Sequence, residues 1–365
     1  ESEAKFRDRV RGEAMMPWGV AEAKELGLYD AIMNCGGHEL PWWDMYIGSN
    51  RVGHRDLPRT TVPKESVVAF YHPTVQEALI QTAISSGAEV KRGSMVRAIN
   101  LVDPITLAID EGDKNVEVRA RLVVGADGRA SLARRWGGFQ TRYDPDQNLI
   151  AGVLFDDAQA PEDTSHYGLN SSLGMTGLIF PQGEGRVRAY ICCRAQLGHR
   201  YSGKSALPGF LEDLSKTGIP SEYYLTASPA GPLATFDGAS AWVKHPYRDG
   251  VALLGDAAAS SDPTWGQGVS LTLRDVRVLR DQLLSFANWS EAGDSYAEQH
   301  DLYYNTLHTF ELWETKILME IGPEADAHRE KAIPLWREDR SRVPDIFLSG
   351  PDQTLDEIAR RRFFG

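Results

Sequence analysis

The chain has 365 residues, 42% apolar and 25% charged, enough for a substantial core in one large or two intermediate domains. Its formal charge of −12 is scattered rather than blocked, which argues against nucleic acid or an anionic membrane as the main partner and leaves a small uncharged or cationic partner open. Cys35, Cys192 and Cys193 form neither a disulfide framework nor a zinc-ligand pattern, no apolar run approaches bilayer length, and no secretory signal opens the chain, so a soluble protein of the reducing cytoplasm is expected.

The first nine residues, Glu1 to Arg9, are largely charged with no strand ahead of them. Residues 20–33 have helical spacing, with Leu26, Leu28 and Ile32 on the apolar side and Gly36-Gly37 as the stop. Trp42, Trp43 and Tyr46 suit either a substrate cavity or the core. Pro73 opens a second helix whose buried stripe is Val75, Leu79, Ile80 and Ala83, up to Gly87. Short β-rich runs follow at 95–101, 105–109 and 116–118, with Glu111-Gly112-Asp113 as a turn, and they predict an antiparallel meander. The apolar run 121–125 predicts a strand covered on both faces in a parallel sheet, ended by Asp127-Gly128. Alternating segments at 149–155, 177–180 and 187–193 predict a mainly β domain. Residues 251–254 form another buried strand, 269–284 a long helix, and the remainder is helical. Its aromatic stripe, with Tyr303, Tyr304, Phe310 and Trp313, suits a helix packed on the sheet or a dimer surface.

The densest signal is Gly255-Asp256-Ala257-Ala258, continuing to Pro263 and Gly266-Gln267-Gly268. Small side chains let a planar ligand approach the backbone, amides at a helix start face negative charge, and Asp256 can accept hydrogen bonds from sugar-like hydroxyls. Gly-Asp alone is more often a plain strand-to-helix turn. The whole stretch is far more specific.

These residues resemble the aromatic-hydroxylase class of flavoprotein monooxygenases, related to p-hydroxybenzoate hydroxylase. The resemblance implies that Asp256 binds the ribityl chain of FAD and that Pro263 to Gly268 pass beside the isoalloxazine ring. Ala259 stands where many members have His. Asp127-Gly128-Arg129-Ala130-Ser131-Leu132-Ala133-Arg134 is similar to the family's Asp-Gly fingerprint, associated with FAD and NADPH; Asp127 would organise the loop and Arg134 sit on the next helix. Arg9-Val10-Arg11-Gly12-Glu13 is similar to the segment that places an Arg against FAD, with Arg11 first and Arg9 second. The family's G-x-G-x-x-G loop is expected upstream of Arg11 and is not in this chain, so a first βαβ unit is expected to be missing. By spacing, Glu1 matches the acidic residue for the adenosine ribose, or is a charged end. His72, where relatives carry Arg or Gln, suits the flavin edge or a helix cap. Trp265 suits a pocket wall or the core.

The fold implied is a mixed α/β one: a Rossmann-like FAD-binding domain at 1–139 and 248–300, a β-rich substrate domain at 140–247, and a helical segment at 301–365. The activity implied is monooxygenation: NADPH or NADH reduces FAD, and oxygen passes through a flavin C4a-hydroperoxide to an aromatic or polyketide-like small molecule. The cofactor carries this chemistry, so no conventional catalytic residue or metal is expected. A monomer or homodimer is equally compatible. A flavin-dependent reductase or halogenase on the same fold, or a non-catalytic binding protein, are the competing readings; the halogenase W-x-W-x-I-P signature is absent.

Overall fold

A computed structural model describes residues 1–102, 104–112, 114–145 and 148–365, so Asp113 of the expected turn lies outside the described residues. The largest element is an eight-stranded sheet. Its order runs Ser228–Pro229, Asn148–Asp156, Arg186–Arg194, Met175–Gly183, Thr164–Asn170, Trp42–Ile47 and Asn50–Asp56, with Ala234–Asp237 also paired to Asn148–Asp156. Strands at 149–155 and 187–193 are present as expected and slightly longer, and that at 177–180 extends to Met175–Gly183. The sheet also reaches outside 140–247, because Trp42–Ile47 runs parallel to Thr164–Asn170 and aligns Trp42 with Thr164.

Side-chain alternation divides this sheet between two cores. Leu149, Ala151, Val153, Phe155 and Cys193 pack with Phe210 and Leu214 of the helix Leu207–Lys216. Ile150, Tyr167, Leu178, Phe180, Tyr190 and Cys192 join the opposite core. The second face is the one that meets the cavity described below.

Beside it lies a small sheet in which Val123–Gly125 runs parallel to Val251–Leu253, with Tyr247–Arg248 antiparallel on the far side. Val123 and Gly125 are buried but Val124 is 43% exposed, so the expectation of cover on both faces is corrected: this strand opens on the cavity. The meander is present as Met95–Asn100, Ile105–Glu111 and Lys114–Ala120.

The helix expected over 20–33 is two helices, Pro17–Glu25 and Tyr29–Asn34. Pro17 supplies the fixed φ of a first turn, and Gly27 at φ 69° takes the left-handed conformation that ends the first helix. His72–Ser85 and Gly268–Ser285 match expectation closely. The helical remainder begins at Trp289, where Asn288 accepts the Ser290 N–H and caps it. It runs to Glu314 and passes into a π-helical turn, Thr315–Met319. Tyr303, Tyr304, Phe310 and Trp313 are all buried in the core, which settles their packing against the sheet rather than on an outer face. Among the described residues no helix is long and apolar enough to cross a membrane.

Candidate active site

A cavity of about 1160 Å³ runs between the inner face of the large sheet, the small sheet and the carboxy-terminal helices. One end is built largely from backbone. The strand Val251–Leu253 delivers the chain into a tight turn at Gly255–Ala257, where Gly255 has φ 55° and a Cβ would stand 2.8 Å from Thr272 Oγ1. That turn is held by Asp275, which accepts the Gly255 N–H at 2.8 Å and the Tyr303 hydroxyl at 2.6 Å. Asp256 then faces the cavity with no hydrogen-bond donor on its carboxylate among the described residues. Burial pushes this carboxyl up, while the guanidiniums of Arg129, Arg11 and Arg134 pull it back.

The following loop is shaped by Asp262, which accepts the Thr264 N–H at 2.9 Å and the Asn148 amide at 2.7 Å. Pro263 and Gly266 line the cavity, and Gly268 opens the 18-residue helix with no atom near its missing side chain. The helix start therefore presents amides to the cavity without steric cover. Gln267 alone among the ten sequence-assigned residues does not line the cavity. Its side chain is fully buried, accepting from Trp18 Nε1 at 2.9 Å and donating to the Trp265 carbonyl at 2.5 Å, and so braces the loop from behind.

The Asp-Gly segment closes this end. Asp127 accepts from Ser131 Oγ at 2.5 Å, Leu132 N at 2.6 Å and Ala133 N at 3.0 Å, which fixes the start of the helix Leu132–Trp136. Buried Arg134 donates to the carbonyls of Arg129, Asp256 and Ala257, tying the Asp-Gly segment to the Gly-Asp turn. Arg11 lines the cavity and among the described residues its guanidinium makes no hydrogen bond or close ion pair, whereas Arg9 is paired with Glu3 at 2.7 Å. Glu1 stands exposed at the rim, its carboxylate accepting the Glu3 N–H at 2.8 Å. His72 is the first residue of its helix; its N–H is capped by Glu13 at 2.9 Å, its ring reaches the Gly12 carbonyl at 3.3 Å, and burial lowers its pKa. His72 thus lines the cavity.

Sequence reading missed the pair beneath this segment. Glu13 and Arg188, both fully buried, meet at 2.7 Å, and Arg188 also donates to Asp8 at 2.9 Å. Burial works against the Arg188 charge, yet the Glu13 and Asp8 carboxylates raise its pKa above the ordinary guanidinium value. The only signal was an Arg within the apolar run of Arg186–Arg194. Asp275 was also missed, although it occupies the buried stripe with Leu271, Val278 and Leu279, where a carboxylate needs a reason.

The other end of the cavity is aromatic. Trp43 lines it and stacks on Tyr167 at 6.1 Å, while Trp42 stacks on His54 and Tyr46 packs in the second core, so only Trp43 of that group faces the cavity. Trp265 lines it too, stacked on Phe347 at 5.0 Å, and Phe347 packs on Phe310 at 4.8 Å.

The donor set fits FAD. A sugar-like chain finds an unpartnered carboxylate in Asp256, phosphate or ring oxygens find Arg11 and the amides at Gly268, and a planar ring finds open backbone at Gly268, with Pro263 and Gly266 on the same lining. Similarity to known proteins bears on the same point. Digeranylgeranylglycerophospholipid reductase 2 of Methanococcoides burtonii is 26% identical over 291 residues, covering 77% of this chain and 62% of that protein. The flavin-dependent oxygenase ucdD of Aspergillus ustus is 26% identical over 379 residues, covering 90% of this chain and 56% of that protein. The chain thus spans less than two thirds of the length of these relatives. The crystal structure of CmlS, a flavin-dependent halogenase, shares the fold with a TM-score of 0.76 at 19% identity, over 99% of this chain and 71% of the other. A family model described as FAD binding domain matches residues 9–305. With most of its length inside that match, and both the Gly-Asp and Asp-Gly segments on one cavity, the chain belongs to the FAD binding domain family, the aromatic-hydroxylase type of flavoprotein that its motifs resemble.

Proposed function

We propose that this protein is an FAD-dependent monooxygenase that hydroxylates an aromatic or polyketide-like small molecule with NADPH or NADH as electron donor. The observation that carries the reading is the single continuous cavity, with a polar backbone-lined end that suits FAD and an aromatic end that suits a planar apolar substrate. FAD, when bound, supplies the activation of oxygen. The balance is one substrate C–H, one O₂, one NAD(P)H and one proton giving one substrate C–OH, one water and one NAD(P)⁺.

The chain's own residues bind, orient and exclude water. Asp256 holds ribityl hydroxyls, Arg11 faces phosphate or carbonyl oxygens, the loop from Pro263 to Gly268 seats the ring, and His72 and Glu1 contribute at the edge. Asp127 acts by fixing its loop, and Gln267 by bracing Trp265. The Phe347, Phe310 and Trp43 rings exclude water from the far end. Within this proposal the flavin part is 1–139 and 248–300, the substrate part 140–247 joined by the strands Trp42–Ile47 and Asn50–Asp56, and the helical part 301–365. The setting is the reducing cytoplasm, in keeping with three free cysteines.

A second reading, a flavin-dependent reductase, is favoured by the similarity to the archaeal reductase. Stopped-flow and oxygen-electrode measurements with the flavin-loaded protein separate the two. A monooxygenase consumes one O₂ per substrate hydroxylated and oxidises NADPH faster when substrate is present. Anaerobic turnover that yields a reduced substrate sinks the monooxygenase reading, and a protein that retains no flavin sinks both.

A further inference from the structure

Seven acidic residues line the cavity: Glu1, Glu3, Glu13, Asp127, Asp256, Glu314 and Asp345. Five have partners. Glu1 accepts from Glu3 N, Glu3 pairs with Arg9, Glu13 with Arg188, Asp127 with its helix start, and Asp345 with Arg55. Among the described residues the carboxyls of Asp256 and Glu314 have no hydrogen bond or ion pair; Asp256 stands on the Gly-Asp turn and Glu314 on a carboxy-terminal helix. Asp256 is accounted for by FAD. Glu314 is not.

Glu314 is 5% exposed and is the last residue of the helix Trp289–Glu314, immediately before the π-helical turn Thr315–Met319. Such turns interrupt the regular ladder and recur where a side chain is aimed for function. Four residues back on the same helix, Phe310 packs on Phe347, which stacks on Trp265 in the loop assigned to the flavin. Glu314 therefore shares the helix face of Phe310, lies near the Tyr167 hydroxyl, and belongs to a lining that also includes Trp43 and Leu318. A buried carboxyl with no protein partner carries a desolvation cost that nothing in the fold offsets. The neighbouring buried acid Glu311 differs, since it accepts from Ser261.

We propose that Glu314 is the substrate-positioning residue of the aromatic end, and that the substrate is a planar aromatic molecule carrying a ring O–H or N–H that donates to this carboxyl. This rests on the reading that the aromatic end holds the substrate. The rings supply stacking surface, which every planar aromatic shares, and the carboxyl supplies the acceptor that orients one such molecule. Burial raises Glu314 to about 8, and in either protonation state one carboxyl oxygen remains free to accept.

The test compares 2-naphthol with 2-methoxynaphthalene, a probe of the same ring system without the donor, by titration of tryptophan fluorescence in the full-length, flavin-loaded protein. Wild type is expected to prefer 2-naphthol by about 10-fold, the size of one net hydrogen bond. Glu314→Gln keeps the preference through its amide carbonyl, and Glu314→Leu reduces it to less than about 2-fold without weakening the ether. Should Glu314→Leu fail to fold, infrared difference spectra of wild type decide: the carboxyl C=O band shifts with 2-naphthol and not with the ether. Equal binding or no binding of the two probes by wild type, a preference that survives in Glu314→Leu, or an unmoved carboxyl band overturns the proposal. Flavin content and oxygen uptake are read separately. A yellow, oxygen-consuming protein without the preference defeats this inference alone, and a preference in a protein without flavin defeats the monooxygenase reading alone.

Discussion

The two ends of the cavity are built in different ways. The flavin end is made of backbone: two short segments, each leaving a strand through a glycine turn, with side chains such as Asp127, Asp275 and Asp262 spent on fixing the chain. The aromatic end is made of side chains that converge from separate places, with Trp43 from one strand, Tyr167 and Phe180 from others, and Phe310, Glu314 and Phe347 from carboxy-terminal helices. Backbone geometry fixed by glycine turns tolerates few substitutions at those turns, whereas each side chain of the aromatic end can be replaced one at a time.

The largest expected effect breaks the scaffold shared by both ends. Arg188→Met leaves Glu13 and Asp8 facing an apolar interior, and loss of one partner from a buried pair costs about 3–5 kcal/mol, seen as a lower denaturation midpoint at unchanged slope. A variant as stable as wild type would show that Glu13 is held by His72 and Gln182 alone.

Glu314→Gln tests the aromatic end through pH. Folding raises Glu314 from 4.5 to about 8, so the folded state holds a proton that the unfolded chain has released; the associated stability is full below about pH 4.5 and is lost as pH rises towards 8. The glutamine variant has no such loss, and its advantage over wild type is expected to grow from near zero at pH 4.5 to on the order of 2–4 kcal/mol at pH 9. A pH-independent difference would place that carboxyl in contact with water.

At the flavin end, Asp256→Ala is expected to weaken FAD retention by about 10- to 100-fold, the worth of a charge-assisted hydrogen bond, with little change in the naphthol preference. Wild-type FAD affinity in that variant would remove the ribityl role. The smallest effect separates two arginines. Arg9→Ala removes an exposed pair and is expected to change stability by less than about 0.5 kcal/mol and leave FAD bound, whereas Arg11→Ala weakens FAD measurably. Equal loss in both would mean that the segment acts by net charge.

The backbone course of the segment proposed to hold the flavin was legible because its requirements are local. Gly255 and Gly266 sit at positive φ, Pro263 opens a turn, and Gly268 starts a helix, all within fourteen consecutive residues. The meander and the helix from Gly268 were legible for the same reason, since period and punctuation are properties of a short window. The split at Gly27 was visible too, but the apolar spacing across it outweighed the glycine.

The sequence by itself determined the family, the meander, the main strands of the large sheet and the helix from Gly268, since torsion and periodicity are written within a turn or two of chain. Only the tertiary structure decided which side chains share the cavity. Trp43 faces it while Trp42 and Tyr46 do not, because Trp42–Ile47 is added to a sheet whose partner strand lies more than a hundred residues away. Val124 opens on it because one face of its strand borders the space, and Gln267 turns from it because Trp18 and the Trp265 carbonyl hold the amide behind the loop. Glu314 looks in sequence like any helix acid; its missing partner is a fact about every element packed around it, and no window of sequence contains them all.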